Sequence, residues 1–320
     1  MSGLLCFSLP DSKEIVKKFG NWTNEGLNND AFFVSNFNKS KRFFFQEDES
    51  SNNFDPELTK WEENTTNTKE QYKSKVNEFI QFCQENESRK VVLSRNAWTQ
   101  IPINNVVSIF ENLVNAYPSA FVYLIQSKEF GCWIGATPEK LLRGVGKNLT
   151  TMSLAGSRIL NDPFEWTNKE IKEQSIVTEY ISDILDYCKV SYSKSPSSTV
   201  RAGNIEHLST EFKLEMNELS PYELASKLHP TPAVCGLPQQ EAIDFINSKE
   251  GYDRKLYTGI IGWSSSEETQ LFVNLRCAQL FSNGVMSYVG GGITKDSDPE
   301  KEWLETEFKS QTLLSVIQKM

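Results

Sequence analysis

The residues with most to offer chemically lie near the C-terminal end, where Gly290, Gly291 and Gly292 run consecutively and Glu302, Glu305 and Lys309 follow at spacings of three and four. Three glycines in a row let backbone N–H groups approach an anion with no Cβ in the way. Asp298-Pro299 is ordinary chemistry for a helix start, and on that helix Glu302, Glu305 and Lys309 fall near one face. Such a face offers oxygen ligands for a hard cation and an ammonium for a carboxylate. It would equally serve as a solvated helix face with an i,i+4 Glu–Lys pair.

Other charged residues stand in unusual company. Lys90 opens Lys90-Val91-Val92-Leu93-Ser94-Arg95, a β-branched strand with Lys90, Val92 and Ser94 on one face. The lysine sits either at a wet sheet edge or turned inward, where desolvation leaves it neutral enough to take a proton from water. Glu139 closes Gly135-Ala136-Thr137-Pro138-Glu139, a place usually held by a turn residue. Arg276 interrupts the apolar strand around Val273 to Cys277, where an unpaired guanidinium is costly, so a buried anion partner is the economical explanation. His229 to Pro238 holds three prolines and a glycine, a loop whose shape is set by backbone.

The elements that must position these groups follow from periodicity. Apolar residues recur at helical spacing over Lys69 to Gln84 and Asn105 to Ala116, and along a long helix from about Phe164 to Cys188 carrying Glu170 and Glu173. Shorter helices are expected over Pro221 to Leu228 and Gln239 to Asn247. Strands are expected at 120–125 and 131–134 as a hairpin, at 150–158, at 256–263 and at 271–280. Residues 1–67 are weakly patterned, reading as strands of one sheet and loops. Sequential strands with helices between them predict a largely antiparallel α+β architecture.

Composition narrows the function classes. With 38% hydrophobic and 12% aromatic residues, the chain has the makings of a globular protein. Its 33 basic and 42 acidic side chains leave a charge of −9 without a long single-sign block, which argues against nucleic acid as partner. No apolar run approaches the roughly 18 residues of a membrane span, and Met1 to Pro10 has no basic stretch ahead of its apolar residues, so a cytoplasmic protein is expected. Six cysteines without a CxxC pair argue for buried thiols rather than disulfides or zinc.

The segments Gly135-Ala-Thr-Pro-Glu139, Leu154-Ala-Gly-Ser-Arg158, the loop from His229 to Pro238, the strand around Arg276 and the glycine–helix segment together resemble, in order, the chorismate-utilising enzymes, most closely isochorismate synthases. The resemblance runs from about Lys90 to the C-terminus. It implies one large domain over residues 1–320, two mostly antiparallel sheets packed face to face with helices outside. It implies Lys90 as general base, since members that use water carry lysine there and ammonia-using anthranilate and aminodeoxychorismate synthases usually carry glutamine. Glu139 would be the general acid, and Mg²⁺ would be held by Glu173 and Glu305 with Glu302 nearby. Chorismate would be bound by Gly156, Ser157, His207, Ala233, Tyr257, Arg276, Gly290, Gly291, Gly292 and Lys309. Gln174 departs from the usual histidine after Glu173, and a glycine usual near Glu211 to Leu214 is absent. The implied reaction is conversion of chorismate to isochorismate, with no obligatory protein partner; menaquinone is the expected destination, with siderophores and salicylate the others. A salicylate synthase and a non-catalytic chorismate-binding subunit are the alternatives. Ala233, where the pyruvate-eliminating members generally have threonine, favours the isomerase.

Overall fold

The computed structural model describes residues 3–24, 30–48, 56–62, 68–86, 90–160, 163–203 and 205–319. Four strands come first, β1 (Gly3–Ser8), β2 (Val16–Thr23), β3 (Phe33–Ser35) and β4 (Arg42–Glu47), and then helix α1 (Lys69–Glu85). The middle holds β5 (Lys90–Gln100), α2 (Val106–Ala116), β6 (Phe121–Ser127), β7 (Gly131–Thr137), β8 (Lys140–Val145), β9 (Asn148–Ile159) and α3 (Asn168–Tyr187). The last part runs β10 (Ser191–Lys194), β11 (Ser198–Ala202), β12 (Ile205–Glu215), α4 (Pro221–Leu228), β13 (Gly236–Leu237) and α5 (Gln239–Lys249). It ends with β14 (Ile260–Ser264), β15 (Glu268–Val273), β16 (Cys277–Phe281), β17 (Gly284–Ile293) and α6 (Pro299–Ile317). Every strand pairing among the described residues is antiparallel.

Period-two alternation divides the strands between two cores. In β6, Phe121, Tyr123 and Ile125 enter an aromatic core built largely from strand residues, including Trp133, Phe272 and Tyr288. Val122 and Leu124 turn the other way, onto α2 and α6 through Phe110, Leu113 and Leu313. Layers of sheet therefore meet face to face in the first core, with helices outside, as expected. The layers belong to one continuous hydrogen-bonded network. The weakly patterned N-terminal part joins it, β1 pairing with β6 and β3 with β14; residues 25–29, 49–55 and 63–67 of that part lie outside the described residues.

Helix starts are capped as their sequences predict. Thr68, Thr167 and Ser220 each close a capping box with Gln71, Glu170 and Glu223, and Asp298 caps α6 with Pro299 inside. The six cysteines are free thiols, and no helix among the described residues is long and apolar enough to cross a membrane.

Two expected strands are interrupted. The strand predicted over 256–263 begins only at Ile260, leaving Tyr257 in a turn. The strand predicted over 271–280 breaks between β15 and β16, and Arg276 sits in the break with a left-handed backbone, φ 48°.

A buried ion pair ties the sheet to the rigid loop. Arg254 contacts both Glu250 oxygens, at 2.6 and 2.8 Å, and also donates to the carbonyls of Val92 and Val234. Glu250 in turn accepts from the Ser94 amide and hydroxyl at 2.7 Å. Arg254→Met would leave the Glu250 charge buried without its partner, so urea unfolding should show a loss of about 3–5 kcal/mol.

Candidate active site

Lys90 is the first residue of β5 and turns inward: it is 1% exposed, and its Nζ lies 2.9 Å from Glu173 Oε1 on α3. Partnership with a carboxylate offsets the cost of burying an ammonium. β5 pairs with β17 so that Val92, Leu93 and Ser94 face Gly292, Gly291 and Gly290. The glycines are thus strand residues in register near the end of β17, which closes at Ile293. Their lack of side chains makes room. A Cβ on Gly292 would stand 2.3 Å from Glu173 Oε1 and 2.4 Å from Lys90 Cε, and one on Gly291 would stand 3.0 Å from Glu302 Oε2.

Three carboxylates gather around this strand, each paired with a lysine. Besides Glu173 with Lys90, Glu302 lies 2.6 Å from Lys169 and Glu305 lies 2.5 Å from Lys309, which also donates to the Gly290 carbonyl at 2.8 Å. Burial raises the Glu302 carboxyl above the usual range against the pull of Lys169, and the neighbouring Glu305 charge adds to it. Burial alone would raise Glu305 too, but the Lys309 and Lys169 ammonium charges outweigh it and hold it down. Among the described residues no three acidic, histidine or cysteine side chains are already gathered as a metal-ligating group. The donor set nevertheless fits a hard cation: Glu302 Oε2 is buried without a hydrogen-bond partner, and Gly291 leaves Glu302 and Glu305 open to the same space.

Beside these residues is a cavity of about 70 Å³. Lys90, Glu139, Gly156, Ser157, Glu173, His207, Ala233, Tyr257, Arg276, Gly290, Gly291, Gly292 and Lys309 all line it. Glu302 and Glu305 do not. Glu139 is 3% exposed, and burial pushes its carboxyl up to about 7, against the opposing influence of Lys90, the Thr231 hydroxyl and Lys309.

Arg276 and His207 form the polar end of the cavity. Arg276 donates to Thr312 Oγ1 at 2.8 Å and meets His207 Nε2 at 3.0 Å. His207 Nδ1 lies 2.8 Å from the Gly156 carbonyl, so Nδ1 carries the proton and Nε2 accepts from the guanidinium. Burial, then the Arg276 charge, push the imidazole down to about 3, keeping it neutral. Ser157 Oγ sits 3.2 Å from the same Nδ1. Arg276 has no carboxylate partner among the described residues, and burial lowers it to about 10. A buried cation lining a cavity and served only by neutral groups is suited to pair with an anion.

The family model for chorismate binding enzymes matches residues 22–318. The chain belongs to that family. It is 33% identical over 242 residues to isochorismate synthase EntC of Escherichia coli, covering 71% of this chain and 62% of that protein. It is 30% identical over 266 residues to isochorismate synthase DhbC of Bacillus subtilis, covering 77% and 67%. The structure described as a 2,3-dihydroxybenzoate-specific isochorismate synthase of Bacillus anthracis superposes with a TM-score of 0.82 at 26% identity, covering 99% of this chain and 96% of that one. The alignment to the Escherichia coli enzyme thus spans just under two thirds of that enzyme's length.

For a chorismate-binding enzyme, the sequence reading missed the groups that hold its named residues. Lys169 had no signal beyond its place four residues before Glu173 on one helix face. Thr312, which fixes Arg276, lies one turn past Lys309 on α6. Gln174, the departure from the family's histidine, points away from the cavity and donates to Ser153, Thr178 and Thr210 at 2.9–3.0 Å. The substitution therefore serves packing between α3, β9 and β12. Gly292→Ala tests this clearance: its crystal structure should show the Lys90–Glu173 contact lengthened beyond 4 Å, and urea unfolding should show a loss of about 3–5 kcal/mol from parting a buried ion pair.

Proposed function

We propose that this chain converts chorismate to isochorismate. The observation that carries the reading is a pair of buried groups of opposite kind on one cavity, the Lys90 amine and the carboxyl of Glu139 held near neutrality, beside the carboxylate-free Arg276. Lys90, once it has released to solvent the ammonium proton it holds beside Glu173, would take a proton from the water that adds to ring carbon C2. The Glu139 carboxyl would protonate the C4 hydroxyl, which leaves as water while the ring double bonds shift. One water enters and one departs, so substrate and product are isomers.

Arg276 and Tyr257 would hold the carboxylate of the enolpyruvyl side chain, with neutral His207 keeping the guanidinium aimed. Lys309 would bind the ring carboxylate across the strand of Gly290, Gly291 and Gly292. Gly156 lets the backbone come close, and Ser157 offers a hydroxyl. Glu173 and Glu305 would hold Mg²⁺ with Glu302 nearby, and the ion when bound supplies Lewis-acid neutralisation of a substrate carboxylate. Ala233, a cavity-wall residue, gives no hydroxyl to a following pyruvate elimination. Menaquinone supply, the expected destination, has a counterpart in the menaquinone-specific isochorismate synthase MenF of Escherichia coli and a rival in the vibriobactin-specific relative. A menaquinone requirement after deletion of the gene would separate the two.

Incubation with chorismate and Mg²⁺ should yield isochorismate without pyruvate. Salicylate and pyruvate would move the chain to the lyase branch, and binding without conversion would make it a non-catalytic subunit. Lys90→Gln should lower kcat by roughly 10²–10⁴ with KM changed little; an unchanged kcat removes Lys90 as the base. Because Glu139 must start protonated and its carboxyl is raised to about 7, kcat/KM should fall about tenfold per pH unit above that point. Glu139→Gln should abolish this alkaline limb in the residual activity, and a limb that persists assigns it to another group.

A further inference from the structure

Each of the three carboxylates around β17 already has a cation. Lys90 and Lys309 line the cavity and have work to do on a substrate, but Lys169 does not line it. Its Nζ lies 2.6 Å from Glu302 Oε1, and the Glu302 side chain is fully buried while that of Lys169 remains 23% exposed. Lys169 stands in the first turn of α3, where the helix dipole disfavours a cation. A lysine placed against its local preference, with its charge directed into a carboxylate cluster, is held there by what the cluster needs. Burial alone would lower its ammonium, but the charges of Glu302, Glu173 and Glu305 together outweigh that and hold it above the ordinary lysine range. Lys169 thus answers to all three carboxylates at once.

We infer that Lys169 is a built-in counter-ion that competes with the divalent cation for Glu302, and so sets how tightly the cation is held. The inference rests on the reading of Glu173, Glu302 and Glu305 as the cation site. A doubly charged ion among these oxygens would sit close to the Lys169 ammonium in a poorly solvated space, where like charges repel strongly. For the cation to bind well, Lys169 must release Glu302 and carry its charge outward along a flexible stem that already reaches solvent. Without the cation, the same ammonium keeps Glu302 from standing as a buried, unpaired charge. Cation affinity is then limited by the contact that keeps the cation-free site folded.

Calorimetric titration of the chelator-treated chain with MgCl₂ alone, at mildly alkaline pH, tests this without turnover. Lys169→Met should bind Mg²⁺ roughly tenfold or more tighter than the parent chain, and Lys169→Arg, which keeps the charge, should stay within about threefold of it. If the Met variant does not fold, Lys169→Gln keeps a hydrogen-bonding group without the charge and should show the same gain. Equal or weaker binding by the neutral variant overturns the role of Lys169 and leaves the cation site standing. No Mg²⁺ binding by any of these proteins, with chorismate present as well, overturns the cation site and the inference with it.

Discussion

Packing three carboxylates and three ammonium groups around one strand is possible only because that strand carries no side chains where they meet. Ten residue pairs lock β17 to β5, so the positions of Gly290, Gly291 and Gly292 are fixed by a ladder that starts far from the site, at Gly284 and Gln100. Slipping the register by one would turn Lys90 to the opposite face and set a different residue against Glu173. The ladder therefore determines which atoms can approach. α3 and α6 bring carboxylates to the places the ladder leaves open.

Electrostatics then divides the charged groups into two sets. Around the strand, charge is matched by charge, lysine against glutamate, so burial there needs no ligand. The cavity also holds two charged groups without an ion-pair partner among the described residues: Arg276 is served by Thr312 and a neutral His207, and Glu139, although Lys90, the Thr231 hydroxyl and Lys309 pull it down, is buried deeply enough to stay near half-protonated at neutral pH. Desolvation acts in opposite directions on an acid and on a base, and so one dry pocket can hold Glu139 as an acid and His207 as an uncharged acceptor. The same dryness makes every interaction with a charged ligand stronger than it would be in water.

Much of this was legible in the sequence because it depends on local order. Strand alternation put Lys90, Val92 and Ser94 on one face, and spacing put Glu302, Glu305 and Lys309 on one helix face. The chemically distinctive segments resembled a family in sequence. What was not legible depends on contacts between distant segments. Nothing local distinguishes a glycine that admits an anion to its amide from one that makes room for Glu173, 119 residues earlier in the chain. Lys169 reads as one more charged residue at a helix start until α6 brings Glu302 to it. The placement of Glu302 and Glu305 behind the strand, rather than on the cavity, likewise follows from where α6 crosses β17. Residues 1–67 looked weak because their short strands are completed by pairing with β6 and β14.

The break that holds Arg276 shows how the fold secures a conformation the residue would not choose. Arg276 at φ 48° and Thr258 at φ 61° both take left-handed backbone, and for a β-branched threonine this is a true outlier, costing about 1–3 kcal/mol. Between them stands Asn274, fully buried, and its hydrogen bonds account for both. Its side chain donates to the Leu256 carbonyl at 2.8 Å and accepts from the Tyr123 hydroxyl at 2.6 Å, while its backbone exchanges bonds of 2.8 Å with Thr258 and Gly259. The turn carrying Tyr257 and the break carrying Arg276 are thereby one unit, fastened to β6 through Tyr123. A regular strand through Val273 to Cys277 would have alternated its side chains between sheet faces. The break instead lets the guanidinium leave the pleat and reach His207 and Thr312, which lie on β12 and α6. Strain at these two positions is the structural cost of bringing Tyr257 and Arg276 to the same end of the cavity, and Asn274 is the residue through which the core sustains it.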